Sequence, residues 1–337
     1  KLFTSLVSAL RSFQDLLTIE SSRRGLVKVL DAASNMDFRS RNLFVSGLLM
    51  QLGSLLDIGD NDLILIRHGD AGGQDIIMAA CGGFDAFIGA PTKDILDAAT
   101  NLKVIGRAGI GVDNVDIPAA SSKGVVVMNT PFGNSITTAE HAIALMFALA
   151  RQLPEADLST QAGKWEKNRF MGVEVTGKTL GLIGAGNIGS IVASRALGLR
   201  MKVVAFDPFL TPERAVEMGV EKTDLDTLLA RADFITLHTP LTDQTRNILS
   251  KENLAKTRKG VRIVNCARGG LIDEAALKEG LDSGHIGGAA LDVFVEEPAK
   301  QSPLFGTPNF ICTPHLGAST NEAQVNVALQ VAEQMAD

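Results

Sequence analysis

KTLGLIGAGNIGSIVASRALGLRMKVVAFD, residues 178–207, decides the fold. It reads as strand, tight turn, helix, strand. Lys178 to Gly184 is a short apolar run rich in Leu and Ile. Gly184, Gly186 and Gly189 follow in GxGxxG spacing, and Ile188, Val192, Ala196 and Leu199 then repeat at helical spacing. A second apolar run, Met201 to Phe206, ends on Asp207. This is the pattern of a dinucleotide-binding βαβ unit. Gly184 allows the tight turn, Gly186 lets the backbone approach a pyrophosphate, and Gly189 lets the helix pack close to the strand. The helix N-terminus offers N–H groups and a positive dipole end to phosphates.

In a chain with 33 glycines a lone GxGxxG means little, and the flanking context gives this one its weight. Asp207 stands 18 residues after Gly189, at the end of the second strand. A carboxylate there accepts hydrogen bonds from both ribose hydroxyls and repels a 2′-phosphate, which selects NAD over NADP.

At 337 residues, 45% of them hydrophobic and 21% charged, the chain has the size of two domains and enough apolar content for a sizeable core. A net charge of −6 argues against nucleic-acid binding. Cys81, Cys266 and Cys312 show neither CxxC nor metal-ligand spacing, so no metal is expected, and their small odd number points to a reducing compartment. The longest apolar run, Ala142 to Ala150, is too short to span a bilayer. LFTSLVSAL (2–10) lacks a convincing cleavage site and is not read as a signal peptide. These features place the protein in the cytoplasm. Without an initiator Met, the chain reads as a piece of something longer.

Residues 1–80 are the least legible. Leu2 to Leu17 is compatible with a helix, Leu26 to Leu30 and Leu63 to Ile66 with strands, and Gly69 to Gly73 with a loop; His68 reads as surface. FDAFIG (84–89), NLKVIGRA (101–108) and GVVVMNT (124–130) read as strands of an α/β layer, with Asp94 to Ala99 and a segment opened by Pro118 as helices. A long helix starts near Ser135, where Thr137 and Glu140 have capping-box spacing. Its apolar stretch predicts burial between domains or subunits, and His141 reads as a packing histidine. TQAGKWEKNRFMGVEV (160–175) is a loop holding the single Trp, a packing anchor at an interface.

After the βαβ unit the strands are DFITLHTP (233–240), VRIVNCAR (261–268), GGAALDVF (287–294) and NFICTPH (309–315). Each is near-continuously apolar, as parallel strands covered on both faces are. Their C-ends carry His238 and Thr239; Asn265 and Arg268; Asp292, Glu296 and Glu297; then His315. In a doubly wound sheet these ends share the edge where ligands bind. Alcohol oxidation with a nicotinamide cofactor needs a base for the hydroxyl proton, and His suits this near neutral pH. A carboxylate fixes the tautomer of that His, and an Arg grips a substrate carboxylate at two points. Arg268, Glu297 and His315 supply that catalytic set. Glu296 is read as the decoy for Glu297, His238 as structural near the cofactor, and His285 as surface. HExxH and GxSxG are both absent from the sequence.

With these residues in view, the chain resembles the D-isomer-specific 2-hydroxyacid dehydrogenases, in particular the branch acting on phosphoglycerate. The supporting stretches are NLKVIGRAGIGVDNVD (101–116), NTPFGNSITTAEHAIALMFALAR (129–151), GKWEKNRFMGVEVTGKTLGLIGAGNIGS (163–190), NCARGGLIDE (265–274), ALDVFVEEP (290–298) and TPHLGAST (313–320). They extend over about two thirds of the chain. The resemblance implies two Rossmann-like or flavodoxin-like doubly wound parallel-sheet domains, the nucleotide-binding one inserted into the substrate-binding one. Residues 1–130 and 316–337 would form the substrate domain and 131–315 the NAD domain, with the helices near 135 and after Ser319 as hinges. It implies NAD-dependent oxidation of 3-phosphoglycerate to 3-phosphohydroxypyruvate, the first step of serine biosynthesis, with Arg268, Glu297 and His315 catalytic. It assigns the dinucleotide to Gly184, Gly186, Asn187, Ile188, Gly189, Asp207, Thr239, Pro240, Cys266, Ala267, Arg268, Asp292, His315 and Gly317. Substrate falls to Arg107, Ala108, Gly109, Asn134, Arg268 and His315. A homodimer or homotetramer is implied, with Lys167 or Arg169 reaching a neighbour's substrate phosphate. FDAFIGAPTKD (84–94) departs from the family pattern: Gly89-Ala90-Pro91 stands where an Arg-containing loop is usual. A relative acting on another 2-hydroxy acid, such as a glyoxylate or hydroxypyruvate reductase, and a non-catalytic NAD-sensing protein are the alternatives.

Overall fold

The computed structural model describes residues 63–65, 86–88, 93–98, 102–112 and 115–336. The expected helix over Leu2–Leu17, the strand over Leu26–Leu30, the Gly69–Gly73 loop, His68, Cys81 and the Gly89-Ala90-Pro91 departure lie outside the described residues. Contacts divide the chain into two compact units, Lys1–Asn134 with Thr320–Asp337, and Ser135–Ser319.

In the first unit, β1 (Leu63–Leu65), β2 (Ala86–Ile88), β3 (Val104–Arg107) and β4 (Val126–Asn129) form a parallel sheet in sequence order. Helix α1 (Lys93–Ala98) links β2 to β3, and α2 (Ile117–Ser122) links β3 to β4. Pro118 sits in the first turn of α2, and Asp116 caps the helix by accepting from the Ala119 N–H at 2.9 Å. Leu96, Leu102, Ile105, Val115, Ala120 and Val125 make its core.

The second unit opens with α3 (Ser135–Arg151), α4 (Leu153–Gln161) and a 3₁₀ turn over Lys167–Arg169. It continues through β5 (Thr179–Ile183), α5 (Asn187–Gly198), β6 (Lys202–Phe206), α6 (Pro212–Met218), β7 (Glu221–Lys222) and α7 (Leu225–Arg231). Then come β8 (Phe234–Leu237), α8 (Lys251–Ala255), β9 (Val261–Asn265), α9 (Glu274–Asp282), β10 (Ile286–Leu291) and β11 (Phe310–Cys312). The sheet order is β11-β10-β9-β8-β5-β6-β7, parallel throughout. The chain winds outward from β5 through β7, then crosses to β8 and winds the other way. The reversal between β5 and β8 is the topological switch point, outside whose strand C-ends ligands bind.

Strand alternation loads both faces of this sheet. Leu180 and Leu182 of β5, Val203 and Ala205 of β6 and Val264 of β9 pack with α3 and α5. Ile183, Val204 and Ile263 pack on the other side with Leu228 and Leu229 of α7 and Leu277 of α9. Gly181 lets α7 sit against β5, because a Cβ there would fall 2.6 Å from a Leu228 methyl. Leu145, Met146 and Leu149 bury the inner face of α3, each contributing about 2 kcal/mol. The outer face of α3 is partly bare, with Ile136 57% exposed. Thr137 lies inside α3 and not at its N-cap, so the Thr137–Glu140 spacing does not mark a capping box. His285 also departs from expectation. It is half-buried, its Nε2 within 3.1 Å of the Thr257 hydroxyl and 3.2 Å of the Leu254 carbonyl, tying the turn before β10 to α8.

The C-terminal helix α10 (Asn321–Ala336) returns to the first unit, where it packs on β3 and β4. Gly133 makes room for it, since a Cβ there would meet Val327 at 2.6 Å.

Candidate active site

The turn between β5 and α5 is shaped by contacts that exclude side chains. Gly184 has φ +93°, and a Cβ on it would fall 2.5 Å from the His238 carbonyl oxygen. A Cβ on Gly189 would fall 2.1 Å from the Gly184 carbonyl oxygen. A Cβ on Gly186 would meet nothing within 4 Å, so this side of its backbone is open to a ligand. Caps Asp116, Thr211, Asp224, Ser250 and Asp273 bond their helices' first N–H groups, whereas α5 starts from Gly186 with no side-chain cap. Asn187, Ile188 and Gly189 occupy its first turn. Such a helix end is a cradle for pyrophosphate. Asp207 closes the cradle: its Oδ2 accepts from the Ala185 N–H at 2.7 Å and its Oδ1 from the Phe209 N–H at 2.8 Å. Each oxygen retains a lone pair for a ribose hydroxyl. These residues fit a dinucleotide.

Across the switch point, His238 follows β8. Its pKa is pushed down to about 4 by burial. The ring is therefore neutral at physiological pH, with Nε2 2.9 Å from the Thr236 hydroxyl. Thr239 is half-buried and Pro240 exposed beside it, and the Pro240 carbonyl accepts from the Thr245 hydroxyl at 2.6 Å.

Three loops, after β9, β10 and β11, are interlocked. Asn265, only 2% exposed, clamps the first: its Nδ2 donates to the Arg268 carbonyl at 2.9 Å and its Oδ1 accepts from the Ala267 N–H at 3.0 Å. The Arg268 guanidinium is half-buried and donates to the Ala267 carbonyl at 2.7 Å. The Asp292 N–H donates to the Asn265 carbonyl at 2.9 Å, and the His315 N–H to the Asp292 carbonyl at 2.9 Å. The Glu297 carboxylate accepts from the Phe294 N–H at 3.0 Å through Oε1, while Oε2 lies 2.6 Å from His315 Nδ1. With a carboxylate on Nδ1, the neutral ring carries its proton there and its lone pair on Nε2. The His315 backbone has φ 55°, a left-handed conformation costing a side-chain-bearing residue about 1–2 kcal/mol. Glu296 is exposed.

Asp292 organises this edge from beneath. It is 0% exposed. Its oxygens accept from the Thr313 hydroxyl, the Leu316 N–H at 2.7 Å and the Gly317 N–H at 2.7 Å, with His141 Nε2 3.3 Å away. Burial raises its pKa, but the donors from His141, Thr313, Leu316 and Gly317 outweigh burial and hold it below the usual carboxylate range. Cys266 sits beside it, its thiol pushed up by burial and by the Asp292 charge. The ligand atoms of His141, Cys266 and Asp292 lie within 4.8 Å of one another. The carboxylate is filled with donors from Thr313, Leu316 and Gly317, and the thiol beside it stays protonated. The sequence reading of His141 as a packing histidine missed this cluster, because its partner lies 151 positions away.

In the first unit, the Arg107 guanidinium donates to the Ala108 carbonyl at 2.8 Å, and the Gly109 N–H donates to the Arg107 carbonyl at 2.9 Å. The Gly109 carbonyl in turn accepts from the Thr130 N–H at 3.1 Å, fixing this loop to the end of β4. Asn134 is half-buried and closes the segment after β4. Arg169, in the 3₁₀ turn of the second unit, donates to Glu166 at 3.0 Å, and Trp165 is 86% exposed.

Residues 143–317 match the family model of the D-isomer specific 2-hydroxyacid dehydrogenase, NAD binding domain. The chain belongs to the D-isomer specific 2-hydroxyacid dehydrogenases. The cofactor of this domain is NAD, in agreement with the glycine cradle and Asp207. Residues 6–115 match a domain of unknown function, DUF3369. Similar relatives are the D-3-phosphoglycerate dehydrogenases of Synechocystis sp. and Bacillus subtilis. The first is 54% identical over 73% of this chain and 44% of its own length, and the second 53% identical over 72% and 46%. A solved glyoxylate reductase from Paecilomyes thermophila is 33% identical, with a TM-score of 0.71 over 77% of this chain and 84% of its own. The chain spans about half the length of the curated relatives it matches. No helix among the described residues is long and apolar enough to cross a membrane.

Proposed function

We propose that this dehydrogenase oxidises 3-phospho-D-glycerate to 3-phosphohydroxypyruvate with NAD, the opening step of serine biosynthesis. The observation that carries the reaction class is the His315–Glu297 pair, 2.6 Å apart, on the same sheet edge as the glycine cradle. His315 Nε2 takes the proton of the substrate hydroxyl, and Glu297 stabilises the imidazolium that results. Bound NAD supplies the acceptor for the hydride that leaves the same carbon. Arg268 grips the substrate carboxylate and polarises the developing carbonyl. The name shared by the relatives supports the phosphorylated substrate.

Residues 131–315 hold NAD and residues 1–130 with 316–337 bind substrate, through Arg107, Ala108, Gly109 and Asn134. Thr239, Pro240, Cys266, Ala267, Asp292 and Gly317 border the cofactor, Asp292 from within the protein. The protein works as a cytoplasmic homodimer or homotetramer, for which the exposed Leu158, Trp165 and Met171 offer apolar surface.

A second reading, reduction of glyoxylate or hydroxypyruvate, is favoured by the likeness to the Paecilomyes thermophila enzyme. An NAD-linked assay with 3-phosphoglycerate, glycerate and lactate, and the NADH-linked reverse assay with glyoxylate, separates the two. A rate with 3-phosphoglycerate is expected. Its absence beside turnover of an unphosphorylated acid overturns the first reading.

A further inference from the structure

We infer that His141 is a positioning residue for His315, acting through Asp292 and Thr313 on the turn that presents the His315 imidazole. The inference rests on the reading of His315 as the acid and base of the reaction.

His141 reaches from α3 to the point where the loops after β10 and β11 meet. Its Nε2 lies 3.3 Å from Asp292 Oδ1 and 3.2 Å from the Thr313 hydroxyl oxygen. The hydroxyl proton of Thr313 is committed to the Asp292 carboxylate. Both neighbours of Nε2 are therefore acceptors towards the ring, and Nε2 must carry a hydrogen. A histidine that merely fills space does not meet two acceptors with one nitrogen.

The carboxylate it serves is buried and depends on its donors. Three of those donors, Thr313, Leu316 and Gly317, belong to the loop that contains His315. The His315 N–H itself bonds the Asp292 carbonyl. Asp292 thus holds the turn on both sides of the imidazole, and His141 ties that carboxylate to a long, packed helix. Without it, the carboxylate is anchored only to its own strand and to the loop it is supposed to fix. The other titratable group of this cluster is the Cys266 thiol, which burial keeps protonated.

The test compares the full chain with His141→Ala and His141→Gln, whose amide restores a donor near the Nε2 position. Four quantities are read: the NAD dissociation constant, kcat and KM with 3-phosphoglycerate, and the ¹⁵N–¹H imidazole signals of His315. His141→Ala is expected to lower kcat about 10–100-fold, as removal of a group orienting a functional histidine does in metal sites, with NAD binding and KM largely retained. His141→Gln is expected to recover most of the rate, and the His315 signals to shift in the first variant and return in the second. Wild-type kcat and His315 signals in His141→Ala overturn the inference. So does a His141→Gln protein that folds but is as impaired as His141→Ala. If the wild-type chain turns over no 2-hydroxy acid, the proposed function fails, and the His315 signals alone decide the positioning role.

Discussion

Gly269 and Phe294 meet backbone to backbone: a Cβ on Gly269 would fall 1.8 Å from the Phe294 carbonyl oxygen. This contact sets the loop carrying Arg268 against the loop that leads to Glu297. Gly269→Ala must push the two apart. Overpacking of this kind costs roughly 1–3 kcal/mol, and displacement of catalytic groups by about 1 Å can cost on the order of 100-fold in rate. A fall in both Tm and kcat, with NAD affinity less affected, is the expected outcome. Unchanged kinetics in Gly269→Ala would show that the contact does not fix Arg268.

The His315–Glu297 hydrogen bond fixes which ring nitrogen is available to substrate. Glu297→Gln keeps the shape of the side chain but loses the charge that stabilises the imidazolium. His315→Ala removes the base altogether and should lower kcat about 100-fold or more, and Glu297→Gln should fall between it and the wild type. NAD binding, measured by calorimetry, should survive in Glu297→Gln. A His315→Ala enzyme of wild-type activity would remove His315 from the chemistry.

Burial of His238 makes stability depend on pH in a defined window. Its pKa falls from 6.5 unfolded to about 4 folded. Between those values the unfolded chain binds the extra proton, so stability is fully present above about pH 6.5 and is lost as pH falls towards 4. The contribution is on the order of 3 kcal/mol. Urea unfolding at pH 5 and pH 7 should show a smaller loss on acidification for His238→Met than for the wild type. Asp292, with its lowered pKa, also loses stability in acid, and the variant comparison isolates the histidine. Identical losses in both proteins would count against a neutral, half-buried His238.

The second unit was legible because its signals are local. GxGxxG spacing, near-continuous apolar strands and the polar residues ending them depend on neighbours a few positions apart, and the sheet places those ends on one edge. The roles of Asp292 and His141 were not legible in this way. Helical periodicity shows that a residue lies on a buried face of α3, but not that a carboxylate from β10 meets it there. The Gly269 contact and the half-burial of His285 are likewise products of loops converging after the sheet has formed. The Thr137–Glu140 spacing failed for a local reason: α3 begins two residues earlier, at Ser135, placing Thr137 within its first turn.

The buried Asp292 carries a lesson for transplantation. It joins the strand it ends, a helix on one sheet face and the turn bearing His315, while Asn265 and Gly269 bolt the neighbouring loop to the same assembly. A designer moving this site to another parallel sheet cannot copy Arg268, Glu297 and His315 alone. The smallest graft that keeps its shape is the three loops together with their buried carboxylate and the histidine behind it.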